Sequence, residues 1–187
     1  MQRSPQAFID AAMANPINAE LLARLPRLGL RQCYLTAGCL FQATWNRLSG
    51  QPAAWGVKDY DVFYFDGDDL SWEAEDAVIR HSQALLGDLA ANVEVRNQAR
   101  VHLWYWQRFN ASCPQLTSAR GGIDRYLIAC TCTGIDVATG ELYAPYGLQD
   151  VYDGRLCANP RNNQSALFRQ KAESYRSRWP WLRIVDD

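Results

Sequence analysis

The chain alternates between segments with the 3.6-residue spacing of apolar side chains and short runs rich in β-branched and aromatic residues. The spacing predicts helices in residues 1–29, 39–48, 72–86, 97–109, 117–124 and 164–182. The β-rich runs predict strands at 30–37, 57–65 and 91–96, and residues 126–143 alternate like a hairpin around the turn ATGE. We therefore expect one mixed α+β domain over residues 1–187, with 1–29 as an N-terminal helical cap and 164–182 as a basic C-terminal helix.

The strand predicted at 57–65 carries two acidic residues in a run that is otherwise apolar. In VKDYDVFYFD, Asp59 and Asp61 are one residue apart, so their side chains point to the same face, about 7 Å from each other along the strand. Two like charges at this spacing repel, and burying them without a partner is costly. The pair therefore predicts a positive partner such as a divalent cation, or else a solvent-facing strand end that resists pairing with another edge.

Two other features can complete a site around this pair. Gly38 separates a predicted strand from a predicted helix, and such a turn lets phosphates approach the backbone and the free N–H groups of the helix start. Glu94 interrupts the apolar strand 91–96 between two valines, as expected for a side chain that faces a cleft. Glu94 is thus a candidate third carboxylate, and a salt bridge to a neighbouring arginine is the alternative.

Composition narrows the functional classes. The chain has 187 residues, 48% of them hydrophobic and 21% charged, and a net charge of -1, which is typical of one globular domain and argues against binding nucleic acid through bulk positive potential. The sequence contains no run of 18 apolar residues and no signal pattern, so we expect a cytoplasmic protein without membrane contact. The six cysteines are expected to be reduced, and the spacing in CTC at 130–132 is not that of a zinc site.

Five sequence blocks resemble, in order and spacing, a bacterial nucleotidyltransferase-like family, formerly of unknown function, within the DNA polymerase beta-like nucleotidyltransferase superfamily. They are AGCLFQATWN at 37–46, KDYDVFYFD at 58–66, VEVRNQARVHLW at 93–104, APYGLQDVY at 144–152 and NP at 159–160. The resemblance covers residues 30–182 and implies a minimal fold with a short mixed sheet flanked by helices. It also implies metal-dependent transfer of a nucleotide from a nucleoside triphosphate to an acceptor, which could be a protein, an RNA or a small molecule.

The resemblance also implies roles for individual residues. Asp59 and Asp61 would hold Mg²⁺ or Mn²⁺ with Glu94 as the third acid, and Gly38 and Cys39 would form the phosphate-binding turn. The other residues expected to contact the nucleotide are Lys58, Arg96, Asn97, Gln98 and Arg100.

Two departures from the family pattern keep other functions open. The second turn residue, normally Ser, is Cys39 here, and the usual Arg-Asn pair in the following helix is replaced by Phe41 and Gln42. These changes favour a catalytically degenerate module that binds nucleotide or metal. A third possibility is a component of a complex that docks an acidic partner or RNA through the cations of the last helix, which otherwise form a solvated face: Arg169, Lys171, Arg176 and Arg178. Oligomeric state is not indicated.

Overall fold

A five-stranded mixed sheet lies at the centre of the structure, a computed structural model that describes residues 3–162 and 164–185 apart from the side chain of Phe109. The strands are β1 (Tyr34–Thr36), β2 (Tyr60–Tyr64), β3 (Val93–Asn97), β4 (Gly134–Asp136) and β5 (Leu142–Tyr143). Their order is β3-β2-β1-β4-β5, and β2 and β3 run parallel while the other neighbours are antiparallel. A second sheet pairs β6 (Arg155–Cys157) with β7 (Arg183–Val185) in parallel.

Helices surround the sheet, which confirms the predicted α+β class. They are α1 (Pro5–Met13), α2 (Pro16–Arg24), α3 (Gly38–Leu48), α4 (Trp72–Leu86), α5 (Val101–Phe109), α6 (Ala119–Ile123), α7 (Gln149–Asp153) and α8 (Ser165–Arg176). Short 3₁₀ turns occupy Leu25–Leu28, Gly87–Leu89, Gln98–Arg100 and Ala129–Thr131. Across the described ranges, no helix is both long and apolar enough to cross a membrane.

The alternation along β2 determines which face of the sheet is buried. Tyr60, Val62 and Tyr64 are buried and pack into the core, so Asp61 and Phe63 point to the opposite face. This division follows from the period of two in the sequence. It leaves Asp61 on the opposite face of the sheet, where Phe63 packs against a second, smaller apolar cluster.

Helix α8 and the residues after it pack against α3 through a cluster of aromatic side chains. The rings of Phe41 and Trp45 on α3 contact Tyr175, with centroids 5.6 and 5.3 Å away, and Trp45 also contacts Trp179 at 5.2 Å. Trp179 donates its indole N–H to the side-chain oxygen of Asn46 at 2.9 Å. Edge-to-face aromatic packing of this kind gives α8 a defined position over the N-terminal half of the molecule.

Two segments differ from the sequence prediction. The hairpin is confined to β4 and β5, because residues 126–133 contain a 3₁₀ turn and one isolated bridge from Ile128 to Ala158 in place of a strand. The helix predicted to begin at residue 97 begins at Val101, since Asn97 still belongs to β3 and a 3₁₀ turn separates the two elements. Both boundaries depend on tertiary pairing that periodicity does not reveal.

Candidate functional site

A cleft of about 580 Å³ opens beside the parallel strands. Four elements form its walls: the turn into α3, the ends of β2 and β3, helix α5, and helix α8. Side chains lining it include Gln42, Asp59, Asp61, Phe63, Glu94, Arg96, Trp104, Tyr105, Tyr126, Lys171 and Tyr175. We call this space the cleft.

The predicted carboxylates meet on one wall of the cleft. Asp61 is the register partner of Glu94 in the parallel β2–β3 pair, so the two side chains project from neighbouring strands to the same face. Asp59 precedes β2 and lines the same wall. The structure thus brings together all three acidic residues that the sequence analysis singled out.

The electrostatics of Asp61 reflect these neighbours. Burial, followed by the negative charges of Asp59 and Glu94, raises the pKa of the Asp61 carboxyl to about 7. The positive charges of Lys171 and Arg96 act in the opposite direction but do not compensate. Burial and the acidic neighbours together therefore leave the negative charge of ionised Asp61 poorly stabilised by the protein.

The donor set of the cleft suits a hard divalent cation bound in an open site. Within the described residues, no group of three or more His, Cys, Asp or Glu side chains is arranged to hold a metal ion by itself. Mg²⁺, however, is usually bound by one or two carboxylates together with water and substrate phosphates. The uncompensated charge at Asp61, beside Asp59 and Glu94, fits that mode of binding, in which the substrate completes the coordination.

Glu94 also has a neighbour of opposite charge, as the alternative interpretation expected. Arg96 approaches the Glu94 carboxylate at 3.4 Å, at the long limit of a hydrogen bond, and both side chains are about one-third exposed. A contact this long between exposed groups is weak. Arg96 and Glu94 both remain available to a ligand in the cleft.

The turn into α3 combines backbone strain with a small residue. Ala37 precedes the helix with φ 64° and ψ -144°, a conformation that residues with a side chain rarely adopt, and it caps the helix with no side-chain hydrogen bond. Gly38 follows and lines the cleft. Strain of this kind often accompanies a functional site, and here it directs the start of α3 towards the cleft.

Cys39 does not contribute its side chain to the turn, which corrects the sequence prediction. The thiol is fully buried and donates a hydrogen bond to the backbone oxygen of Thr36 at 3.2 Å. Burial and the charges of Asp61 and Asp59 raise its pKa well above the ordinary value, so it remains protonated. Only the backbone of Cys39 can take part in phosphate binding.

Asn97 and Arg100, which were also predicted to bind nucleotide, are engaged in contacts within the protein. Arg100 is buried, forms an ion pair with Glu75 and donates to the backbone oxygen of Leu70 at 2.9 Å. The side chain of Asn97 donates to the backbone oxygen of Asp66 at 2.8 Å and accepts from its N–H at 3.0 Å. Both side chains use their hydrogen-bonding groups within the protein, because buried polar groups need partners. Neither residue lines the cleft.

One of the predicted cations lines the cleft, and one that was not assigned to it does so as well. Lys58 is exposed and does not line it, whereas Arg96 does. Lys171 on α8, which the sequence analysis assigned to a docking surface, lines the cleft opposite the carboxylates, with its amine 5.4 Å from the Tyr175 ring. One feature of the sequence could have indicated that Lys171 lies beside Tyr175: the two residues are four positions apart and so share one face of a helix.

Fewer cations of the last helix are available for the docking surface that the sequence suggested. Lys171 faces the cleft, and Arg178 is partly buried, where it donates to the backbone oxygen of Gly56 at 2.8 Å. Arg176 pairs with Glu173 one turn earlier. The four cations predicted to act together therefore do not form one continuous basic face.

Comparisons with known proteins identify the fold and the family. A search of curated proteins gave no match. An NMR structure described as revealing a CCA-adding enzyme head domain has a similar fold, with a TM-score of 0.78 at 23% sequence identity, and the alignment covers 100% of this chain and 98% of that one. A family model described as nucleotidyltransferase matches residues 23–184, nearly the whole sequence. The resemblance inferred from the five sequence blocks is therefore confirmed, and the chain belongs to this nucleotidyltransferase family.

Proposed function

We propose that the protein transfers a nucleotide from a nucleoside triphosphate to an acceptor hydroxyl, with Mg²⁺ or Mn²⁺ as cofactor. The observation that carries the proposal is the pairing of Asp61 with Glu94 on neighbouring strands, with Asp59 beside them, on one wall of a cleft that also contains the Gly38 turn. Carboxylates opposite a phosphate-binding turn are what nucleotidyl transfer requires. The acceptor is left open among protein, RNA and small molecule.

Asp59, Asp61 and Glu94 are the residues that would hold the cation. When bound, it would supply the positive charge missing from this wall, polarise the phosphate oxygens and lower the pKa of the acceptor hydroxyl. The raised pKa of Asp61 supports this role, because a carboxylate crowded by others gains most from a cation. A cation held there would favour the ionised form of Asp61.

The remaining cleft residues would bind and orient the substrate. The backbone at Gly38 is open to phosphoryl oxygens, and the first N–H groups of α3 favour an anion. Lys171 and Arg96 lie within electrostatic range of Asp61 and can neutralise charge on the leaving pyrophosphate. Trp104 and Tyr105 on α5 also line the cleft and offer aromatic rings to a base.

A catalytically degenerate nucleotide-binding module is the second candidate. One observation favours it: the residue that normally supplies a hydroxyl at the phosphate turn is Cys39, whose thiol is turned away from the cleft towards Thr36. Binding without turnover requires only the cleft and its cations.

Activity can be tested with purified protein, α-labelled nucleoside triphosphates, Mg²⁺ or Mn²⁺, and fractionated pools of protein, RNA and small-molecule acceptors. Asp59→Asn and Asp61→Asn remove charge from the cleft. Asp68→Asn, a matched control, makes the same change on an exposed turn residue that pairs with Arg31 outside the cleft.

We expect labelled product and released pyrophosphate from the wild-type protein and from Asp68→Asn. The two cleft variants should lose at least about a hundredfold in rate, because each removes a charged metal ligand. Saturable nucleotide binding without product in any acceptor pool would instead establish the binding module. Equal activity in all four proteins would refute the assignment of the carboxylates.

A further inference from the structure

The side chain of Gln42 has an unusual position beside the turn into α3. It lies one helical turn into α3, is only 6% exposed and lines the cleft. Its amide nitrogen Nε2 lies so close to Gly38 that a Cβ added there would be 2.4 Å from it. The side chain is therefore folded back over the helix start, with its nitrogen next to the backbone that a phosphate would approach.

Arg178 determines which end of the Gln42 amide faces the turn. Its Nη1 donates to Gln42 Oε1 at 3.3 Å and to the backbone oxygen of Gly56 at 2.8 Å. Its guanidinium also lies over the Trp179 ring, 4.6 Å from the centroid. In the flipped orientation, the NH₂ group of Gln42 would face the N–H donors of Arg178 without an acceptor between them. The amide oxygen therefore points to Arg178 and the amide nitrogen points to Gly38.

The nitrogen held in this way has no acceptor. Within the part of the chain that the structure describes, Gln42 Nε2 donates no hydrogen bond, although the residue is more than nine-tenths buried. The nitrogen is not one of the fully enclosed polar atoms that lack a partner, so it opens to the cleft, where a ligand oxygen can accept its hydrogen bond. Next to it, the N–H groups of Gly38 and Cys39 have no acceptor inside the helix, whereas that of Leu40 donates to the backbone oxygen of Ala37 at 3.1 Å; Ala37 offers no side chain to cap the first two. The Gln42 amide nitrogen and the N–H groups of Gly38 and Cys39 thus lie close together beside the cleft.

We propose that Gln42 is a phosphate-binding residue whose Nε2 donates to a phosphoryl oxygen at the Gly38 turn, with Arg178 as the positioning residue that holds the amide in this orientation. The amide then supplies the donor that the inward-facing thiol of Cys39 does not. The inference rests on the proposed function, since it identifies the polyphosphate of a nucleotide as the group bound there.

Binding of magnesium tripolyphosphate, measured by isothermal titration calorimetry, tests the proposal without requiring turnover. Gln42→Met removes the donor at similar volume. Gln42→Glu also removes the amide donor but keeps an oxygen that accepts from Arg178. The thermal unfolding temperature of this variant should therefore equal or exceed that of the wild type. Gln149→Met is the matched control, because that amide donates to Asp153 outside the cleft.

We expect both Gln42 variants to bind tripolyphosphate about tenfold or more weakly, as for loss of a hydrogen bond to a charged group. ATP should show the same loss, and Gln149→Met should bind like the wild type. Arg178→Met should weaken binding several-fold, and Arg178→Lys should restore part of it, since the lysine keeps a donor for the amide oxygen.

Three results would overturn the proposal: no tripolyphosphate binding by the wild-type protein, wild-type binding by both Gln42 variants, or a loss with tripolyphosphate that ATP does not share. Failure of the proposed function is distinguishable from these. In that case, polyphosphate binding would still depend on Gln42 while no nucleotide was transferred to any acceptor.

Discussion

Replacing Asp61 by Asn should stabilise the protein at neutral and alkaline pH. In the folded state the pKa of Asp61 is about 7, against 3.8 for an ordinary aspartate, because burial and the charges of Asp59 and Glu94 oppose ionisation. Between these two values the folded state holds a proton that the unfolded state has lost. The wild-type stability contributed by this group is therefore fully present below about pH 4 and is lost as the pH rises through 7.

The size of the effect follows from the same two values. Each pH unit between the folded and unfolded pKa corresponds to about 1.4 kcal/mol, so a rise from 3.8 to about 7 corresponds to at most about 4 kcal/mol. Because the carboxylate borders a solvent-filled cleft, we expect about 2 to 4 kcal/mol at pH 8. For a chain of this size, that is about 4 to 16 °C in the thermal midpoint.

Urea unfolding of the wild type and Asp61→Asn at pH 5 and pH 8 measures this difference, with Asp68→Asn as the control. The advantage of Asp61→Asn should grow from pH 5 to pH 8, and added Mg²⁺ should narrow it at pH 8 by stabilising only the wild type. A variant that is no more stable than the wild type at pH 8, or a difference that does not change with pH, would refute the electrostatic argument.

Three further substitutions test individual features. Cys39→Ser should leave tripolyphosphate affinity within about twofold by calorimetry, because the new hydroxyl can keep the bond to the Thr36 oxygen instead of facing the cleft. Glu75→Gln should lower the free energy of unfolding by about 3 kcal/mol in urea, because it leaves the buried guanidinium of Arg100 without its counter-charge. Ala37→Gly should raise the thermal midpoint, equivalent to about 1 kcal/mol, because glycine adopts a φ of 64° without strain; an unchanged or lower midpoint would contradict this.

The acidic wall of the cleft could be predicted because its signal is local. Asp59 and Asp61 share a face through the two-residue period of a strand, and Glu94 interrupts an apolar run in the same way. The α+β class followed from the same periodicities together with the family resemblance. Register between strands supplied only the final detail, that Asp61 and Glu94 lie directly opposite each other.

The basic side of the cleft could not be predicted in this way. Lys171 lies 110 positions after Asp61, and it reaches the cleft because aromatic residues such as Tyr175 and Trp179 pack on α3. Arg100 was assigned to the nucleotide because it is close to Glu94 in sequence, but a 3₁₀ turn directs it to Glu75. Its burial, and hence its need for a counter-charge, is a tertiary property that sequence spacing does not carry.

The attachment of α8 has a consequence for the order of folding. Residues 136 positions apart join in the hydrogen bond between Arg178 and Gln42, and residues 133 positions apart join in the bond between Trp179 and Asn46. Closing a loop of this length costs about 1 kcal/mol more than closing the shorter loop between β2 and β3. We therefore expect the carboxylates to come together before α8 packs on the cleft. Partial opening of α8 would then release the phosphate side while leaving the acidic strands paired, which hydrogen exchange can detect as separate protection of the two walls.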